Sequence, residues 1–543
     1  MKHQASWLHG AAVYQICPLT FADADGNGLG DIDGIRRRLD HVAGLGVDAL
    51  WLTPFYASPF EDFGYDVADH RAVDPRLGTL DDFDRLVAEA HAAGLKVLLD
   101  LVCGHTSTAH AWFQSSRQSK EGPQADWYVW GDPRADGSPP NNWLSVFGGP
   151  AWSWDPARRQ YYLHHFLASQ PTLNLRAEGA LDAVLGNAAF WLERGIDGFR
   201  IDAVDFLMRD PLLRSNPPAA DPPAAIPIKP FGLQRHVYDM MHGDIPGVLG
   251  RLRSLVDRHP GRVLVGELSS QPGHVDRIAR YTAERGLHAA YTLGLAKAEF
   301  APEAFRAALM AAAAGTTCWS FSNHDVERAV SRWLPPGADP AHFARFLALL
   351  ACCLPGLVCI YQGEELGLPQ ATLDRDRLRD PFGLAYWPQF PGRDGSRTPM
   401  PWRSGAPHAG FSEGERPWLP VPEEHHALAA DRQSGRPGSV LEAWRACLAL
   451  RRRYPALGAG RIGLVDEDGP VLAFERAEGE ERLFCAFNLS MTGADFALPA
   501  DGRFEPVEIP LPGLPAHDVG VSGGDTVRLP PLGAVVLRHV GAP

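Results

Sequence analysis

Apolar residues in this chain gather into short runs, and the rhythm of those runs predicts a fold class. Eight runs rich in β-branched and aromatic residues stand out. They are 12–21 (AVYQICPLTF), 47–55 (VDALWLTPF), 95–102 (LKVLLDLV) and 197–204 (DGFRIDAV), then 262–268 (RVLVGEL), 288–295 (HAAYTLGL), 317–323 (TCWSFSN) and 356–363 (GLVCIYQG). Near-continuous apolar runs of this length read as strands buried on both faces, the mark of a parallel sheet. Between most of them lie amphipathic stretches of helical period, such as Leu80 to Ala93 and Gly179 to Arg194. Alternating strands and helices predict an α/β fold, and eight such units would close into a (β/α)8 barrel, the TIM barrel.

The rhythm breaks twice. Roughly ninety residues separate the third run from the fourth, too long for a structureless loop, and this stretch is rich in Trp, Pro, Gly and Asn. It predicts an inserted domain at 104–173, with the barrel built from 1–103 and 174–462. From about residue 463 short strands and turns replace the βα alternation, which predicts a C-terminal antiparallel β-domain at 463–543. A Pro/Ala-rich stretch from Asn216 to Gly232 reads as a loop near the site or a spacer.

Four of the runs end in acidic, basic or imidazole side chains: VLLDLVCGH (Val97 to His105), DGFRIDAVD (Asp197 to Asp205), VLVGEL (Val263 to Leu268) and WSFSNHD (Trp319 to Asp325). Polar residues where several barrel strands stop are how this architecture builds an active site. Three segments carry a candidate catalytic carboxylate: Asp202, Glu267 and Asp325. Asp197 and Asp205 read more simply as turn or cap residues. Arg200 and Asp202 stand two apart and so share one face of a strand.

These four segments resemble, in order, the signature regions of the α-amylase family, glycoside hydrolase family 13. A fifth segment, QPTLN (Gln170 to Asn174), resembles that of its bacterial α-glucosidase and oligo-1,6-glucosidase branch, and the likeness runs from VYQICPLTF to TPMPW (Thr398 to Trp402). The resemblance implies a B domain after the third strand and makes Asp202 the nucleophile, Glu267 the general acid/base and Asp325 a third carboxylate on ring hydroxyls. It places His105, His324 and Arg200 around the sugar, with Tyr65, Phe147 and Phe166 offering aromatic faces. It also implies that Asp66 (in FGYD) and Arg397 (in SRTPMPW) pair to close the pocket behind a terminal glucose. Ala203 follows the nucleophile where α-1,6 enzymes of the branch carry Val, so α-1,4 linkages are expected. Physical chemistry supports the roles: Arg200 would keep Asp202 ionised, while apolar surroundings would raise the Glu267 pKa.

DADGNGLGD (Asp23 to Asp31) alternates oxygen-bearing side chains with glycines. It resembles a cation loop of the family, with Asp23, Asp25, Asn27, the carbonyl of Leu29 and Asp31 as ligands for a structural Ca²⁺ or Mg²⁺. Two departures matter. Gly104 replaces the Asn that holds a second calcium in many amylases, so no second metal is expected, and Thr172 stands where the branch usually has Asp.

Composition narrows the rest. A net charge of −14 disfavours nucleic acid and anionic membranes. No apolar run approaches the roughly 20 residues of a membrane span, and no secretory signal is read at the start. None of the eight cysteines has metal-like spacing, and six of them (Cys17, Cys103, Cys318, Cys352, Cys353 and Cys359) lie in or beside apolar runs and read as reduced core residues, which points to the cytoplasm. The expected substrate is a small oligosaccharide or disaccharide, and the chain a monomer or homodimer. Three functions follow: a retaining exo-α-glucosidase with transglucosylation, a sucrose-active transferase or isomerase, and a non-catalytic relative such as a transporter heavy chain. The intact carboxylate set speaks against the last.

Overall fold

The computed structural model describes residues 6–220, 229–312, 316–414, 416–465, 468–498, 502–509, 521–522 and 524–540. Part of the Pro/Ala-rich stretch, residues 221–228, lies outside the described residues. Eight parallel strands form the core sheet: β1 (Ala12–Ile16), β2 (Ala49–Leu52), β3 (Lys96–Leu101), β4 (Gly198–Ile201), β5 (Val263–Leu268), β6 (Ala289–Thr292), β7 (Cys318–Ser320) and β8 (Leu357–Tyr361). They lie in the order β6-β5-β4-β3-β2-β1-β8-β7. The ring closes where Ala290 of β6 bridges Thr317 in parallel, its N–H donating to the Thr316 carbonyl at 3.0 Å. The chain is a (β/α)8 barrel followed by an antiparallel β-domain.

All eight predicted strands are present; all but β5 stop short of the ends of their apolar runs, and after β1 and β6 an α-helix begins inside the run. After β1, Pro18 opens a short helix, Pro18–Phe21, because Pro has no N–H for the ladder and its fixed φ suits a first helical turn. After β6, the Thr292 hydroxyl accepts the Gly294 N–H and caps the helix Leu293–Ala296. The helix Leu80–Ala92 starts at a reciprocal capping box between Thr79 and Asp82. It buries Phe83, Leu86, Val87 and Ala90, a spacing that lays one apolar stripe on the barrel.

The long insertion contains a three-stranded antiparallel sheet (Trp130–Gly131, Gln160–Leu163, Trp152–Asp155). Bridges between His105 and Thr172 and between Tyr128 and Leu173 tie its two ends together. At the C-terminal end a six-stranded sheet begins with Arg461–Leu464, two residues before the expected boundary. Buried Arg476 of the β-domain fastens it to the barrel by donating to the carbonyls of Cys353 and Gly460. All eight cysteines are buried and unpaired. Among the described residues no helix is long and apolar enough to cross a membrane.

Candidate active site

The strand ends converge on a single guanidinium. Arg200 leaves β4 toward the barrel axis, wholly buried, with its plane over Trp51 of β2. It donates to Asp100 of β3 at 2.6 Å, to Asp202 just past β4 at 2.8 Å, to Glu267 of β5, and to the Tyr291 hydroxyl of β6 at 3.0 Å. Period-two alternation makes this possible, since Arg200 and Asp202 point the same way. Asp100 also accepts from Tyr65 at 2.9 Å and from Trp51 at 3.2 Å, so it braces the site from inside the barrel.

Burial pushes the Asp202 carboxyl well above the usual carboxylate range; Arg200 opposes this, while Glu267 and Asp100 add to it. Burial raises Glu267 too, again against Arg200 and with Asp325 adding to the rise. The contrast drawn from sequence, with Arg200 serving Asp202 alone, is therefore corrected: the guanidinium touches both carboxyls. Adjacent buried carboxyls titrate as a pair, and such a pair retains one proton to higher pH than an isolated acid. Asp325 differs. Burial would raise it, but His324, Arg393 and Arg397 hold it well below the usual range.

A cavity of about 410 Å³ opens above these groups, lined among others by Asp62, Tyr65, His105, Phe147, Phe166, Asp202, Ala203, Glu267, Asp325 and Arg393. His324 lies behind it, stacked on Tyr65 with ring centres 5.2 Å apart and 3.1 Å from Asp325. His105 Nε2 donates to the Tyr65 carbonyl at 3.1 Å, and burial pushes its imidazole down to about 4, so it is neutral at pH 7. Ala203 adopts left-handed backbone angles, φ 43° and ψ 51°, unusual for a residue other than Gly. Asp205, read from sequence as a turn residue, also lies under the wall, accepting from the Ser269 N–H and hydroxyl and from Tyr281.

The expected pairing of Asp66 with Arg397 is not what the structure contains. Asp66 is fully buried and accepts from the Ser58 hydroxyl and the N–H groups of Glu61 and Asp62, so it shapes the turn before Tyr65. Burial pushes its carboxyl up to about 6. Arg397 instead donates to Asp325 at 2.9 Å and to the His324 carbonyl at 2.7 Å. The pair facing the cavity is Asp62 with Arg393, at 2.7 Å. Arg393 also bonds Asp325 at 3.0 Å and Asp380 at 2.8 Å. Both missed residues stand four positions upstream of the ones chosen, just outside the quoted motifs: Asp62 immediately precedes FGYD, and Arg393 lies three residues before SRTPMPW. Sequence gives no way to decide which of two carboxylates four apart turns inward when a tight loop carries both.

In the loop after β1, Asp23, Asp25 and Asp31 bring carboxylate oxygens within 4.8 Å of one another. Burial raises the Asp31 carboxyl, with Asp25 and Asp23 contributing. Three acidic oxygens gathered without a cationic side chain among them suit a hard divalent ion. Asn27 turns its amide N–H to Asp25 and accepts the Leu29 N–H.

Paired carboxyls at the strand ends of a parallel barrel, beneath an aromatic and polar cavity, define a sugar-processing enzyme. The Alpha amylase, catalytic domain profile matches residues 15–460. The chain belongs to the alpha-amylase family and is a glycoside hydrolase. Its branch is that of the bacterial α-glucosidases and oligo-1,6-glucosidases. It is 47% identical over 521 residues, 94% of each chain, to a probable alpha-glucosidase of Rhizobium meliloti. It is 34% identical, over 91% of this chain and 94% of the other, to an oligo-1,6-glucosidase of Heyndrickxia coagulans. The crystal structure of the alpha-glucosyl transfer enzyme XgtA superposes with a TM-score of 0.92 at 45% identity, covering 98% of this chain and 99% of that one.

Proposed function

We propose that the protein is a retaining, exo-acting α-glucosidase of short substrates, preferring α-1,4 linkages and passing part of its glucosyl groups to hydroxyl acceptors. The observation that carries the exo reading is the Asp62–Arg393–Asp325–Arg397 network. Its charged groups lie beside the catalytic carboxyls, mostly buried, where they would grip the hydroxyls of one terminal glucose and block a longer chain.

In this reading Asp202 attacks the anomeric carbon while Glu267 protonates the departing oxygen. Water or another hydroxyl then opens the ester with Glu267 as base. Retaining enzymes place the two carboxyls roughly 5–5.5 Å apart, and sharing one guanidinium favours such a close pair. Asp325 stays charged and accepts from ring hydroxyls; neutral His105 donates to or accepts from them. The apolar wall on the other side (Phe147, Phe166, Phe206, Phe382) would favour organic acceptors over water, and XgtA is named for glucosyl transfer.

The loop carboxylates Asp23, Asp25 and Asp31, with Asn27 and the Leu29 carbonyl beside them, would hold one structural Ca²⁺ or Mg²⁺ that supplies charge neutralisation and takes no part in the chemistry. The buried, unpaired thiols fit a reducing cytoplasm.

The test is a product profile on maltose, isomaltose, sucrose, trehalose and maltotetraose, with and without an alcohol. Maltose cut ahead of isomaltose, with one α-glucose released per event, is expected. Internal cleavage, β-glucose as first product, or sucrose isomers as the main product would refute the proposal.

A further inference from the structure

The chain carries nearly all its positive charge on arginine; it has only five lysines, at positions 2, 96, 120, 229 and 297. Two of the five, Lys229 and Lys297, line the same cavity as the catalytic carboxyls. Among the described residues neither has a carboxylate partner. The Lys297 ammonium donates to the Ser270 hydroxyl at 3.3 Å. The Lys229 ammonium stands 4.4 Å from the ring centre of Phe382 and 3.8 Å from that of Phe390. Desolvation at the cavity wall pushes the Lys229 ammonium down to about 8, and Lys297 and Arg393 push the same way. Desolvation lowers Lys297 as well, against Glu267 and Asp325. Two lysine ammoniums without a carboxylate partner thus face this part of the cavity, and a negative charge placed between them would relieve their mutual repulsion.

The rest of the lining there comprises phenyl rings, small hydroxyls, Leu293, Gln271 and Asp205, whose carboxylate is held by Ser269. Phe206, Phe231 and Phe382 join Lys229 and Lys297 around the opening, with Ser269 and Ser270 beside them. Asp62 and Asp325, the sugar-gripping charges of the proposed reading, are already paired with Arg393, which leaves the two lysines for an anion. A lysine ammonium is a compact, mobile point charge, suited to a carboxylate or phosphate whose exact position varies.

We infer that the leaving-group side of the cavity is an anion subsite: the preferred glucosides, and the preferred acceptors in transfer, carry a carboxylate or phosphate at the far end of an apolar or aromatic aglycone. This rests on the glucosidase reading and adds the chemistry of the aglycone to it.

The test compares 4-carboxyphenyl α-glucoside with its uncharged 4-carboxamidophenyl counterpart, and 4-phosphonophenyl α-glucoside as the phosphate arm. The wild type should show kcat/KM about fivefold or more higher for an anionic glucoside than for the amide, with the gain falling as salt rises. The larger gain identifies which anion the site takes. Lys297→Met and Lys229→Met should each reduce the ratio, and together bring it near one; Lys120→Met, paired with Asp132 far from the cavity, should leave it unchanged. Efficient cleavage of all three glucosides with no anionic preference, or a preference untouched by both lysine substitutions, overturns the anion subsite and leaves the glucosidase standing. Failure to cleave any of them overturns the glucosidase reading and the subsite with it.

Discussion

Replacing Arg393 by Met keeps much of the side chain's length and removes its charge, and the structure sets what should follow. Three carboxylates lose their partner. The side chains of Asp62 and Asp380 are 6% and 0% exposed, while that of Asp325 is 25% exposed and keeps Arg397. Breaking a buried pair by removing one partner costs about 3–5 kcal/mol, and here most of that falls on Asp62 and Asp380. Burial alone would raise the Asp380 carboxyl, but Arg393 holds it down at about 2, against an ordinary 3.8. A depressed pKa stabilises the fold above the ordinary value, and that stabilisation is lost as pH falls through 3.8 toward 2. In the variant Asp380 is buried without its cation and becomes easier to protonate. The melting temperature should therefore fall sharply at pH 7, and the gap to wild type should narrow near pH 4. If Arg393 also closes the pocket behind glucose, a hydrogen bond to a charged group, worth about 1.5–3 kcal/mol, is lost from the transition state. That lowers kcat/KM on 4-nitrophenyl α-glucoside by about 10- to 150-fold. Maltotetraose should gain relative to maltose. An unchanged melting curve with kcat/KM within about threefold of wild type would refute the electrostatic argument, and a destabilised variant with an unchanged maltotetraose-to-maltose ratio would refute the closing role.

Asp202→Asn should fold normally and retain less than about one per cent of turnover, because an amide cannot form the ester; higher activity in a purified sample would remove Asp202 from its role. Glu267→Gln should be inactive on maltose yet recover on glucosides whose leaving group needs no proton, and equal loss on both kinds would argue against acid catalysis. Chelation should lower the melting temperature more than activity at 25 °C, since a ligand of the native state alone stabilises it; lost activity at unchanged stability would make the ion catalytic. Ala203→Val should raise the isomaltose-to-maltose ratio by about 10-fold or more. It should also reduce stability by roughly 1–3 kcal/mol, because a β-branched side chain is strained at φ 43°. A ratio that does not move would separate Ala203 from linkage choice.

The barrel was legible because its signal is repeated: eight apolar runs, each followed by a helix, constrain one another. The strand ends were legible for the same reason, as with Arg200 and Asp202, whose spacing fixes a shared face. What sequence missed lies on loops. Asp66 and Arg397 sit in recognisable motifs, yet the side chains that face the cavity are Asp62 and Arg393, and loop conformation obeys no period that could be read in advance. Asp205 does lie in a turn, Val204–Phe206, but its support of the cavity wall was not legible for a related reason. Its partners, Ser269 and Tyr281, lie 64 and 76 residues away, and a contact across that distance leaves no local trace. The contrast between Asp202 and Glu267 failed because a neighbour on the same strand was weighed while one on the adjacent strand was not.

The single guanidinium at the barrel axis makes the two halves of the proposed reaction electrically unequal. Arg200 carries one positive charge and faces Asp100, Asp202 and Glu267 together. When Asp202 becomes an ester its negative charge disappears, and the cation that had been shared by the carboxylates of Asp100 and Asp202, while Glu267 kept its proton, is shared by those of Asp100 and Glu267. Glu267 then feels more of that cation and no longer feels a charged Asp202, so its affinity for a proton drops at the moment it must take one from the incoming water or alcohol rather than give one away. The switch from proton donor to proton acceptor requires no movement of the protein; the covalent step throws it.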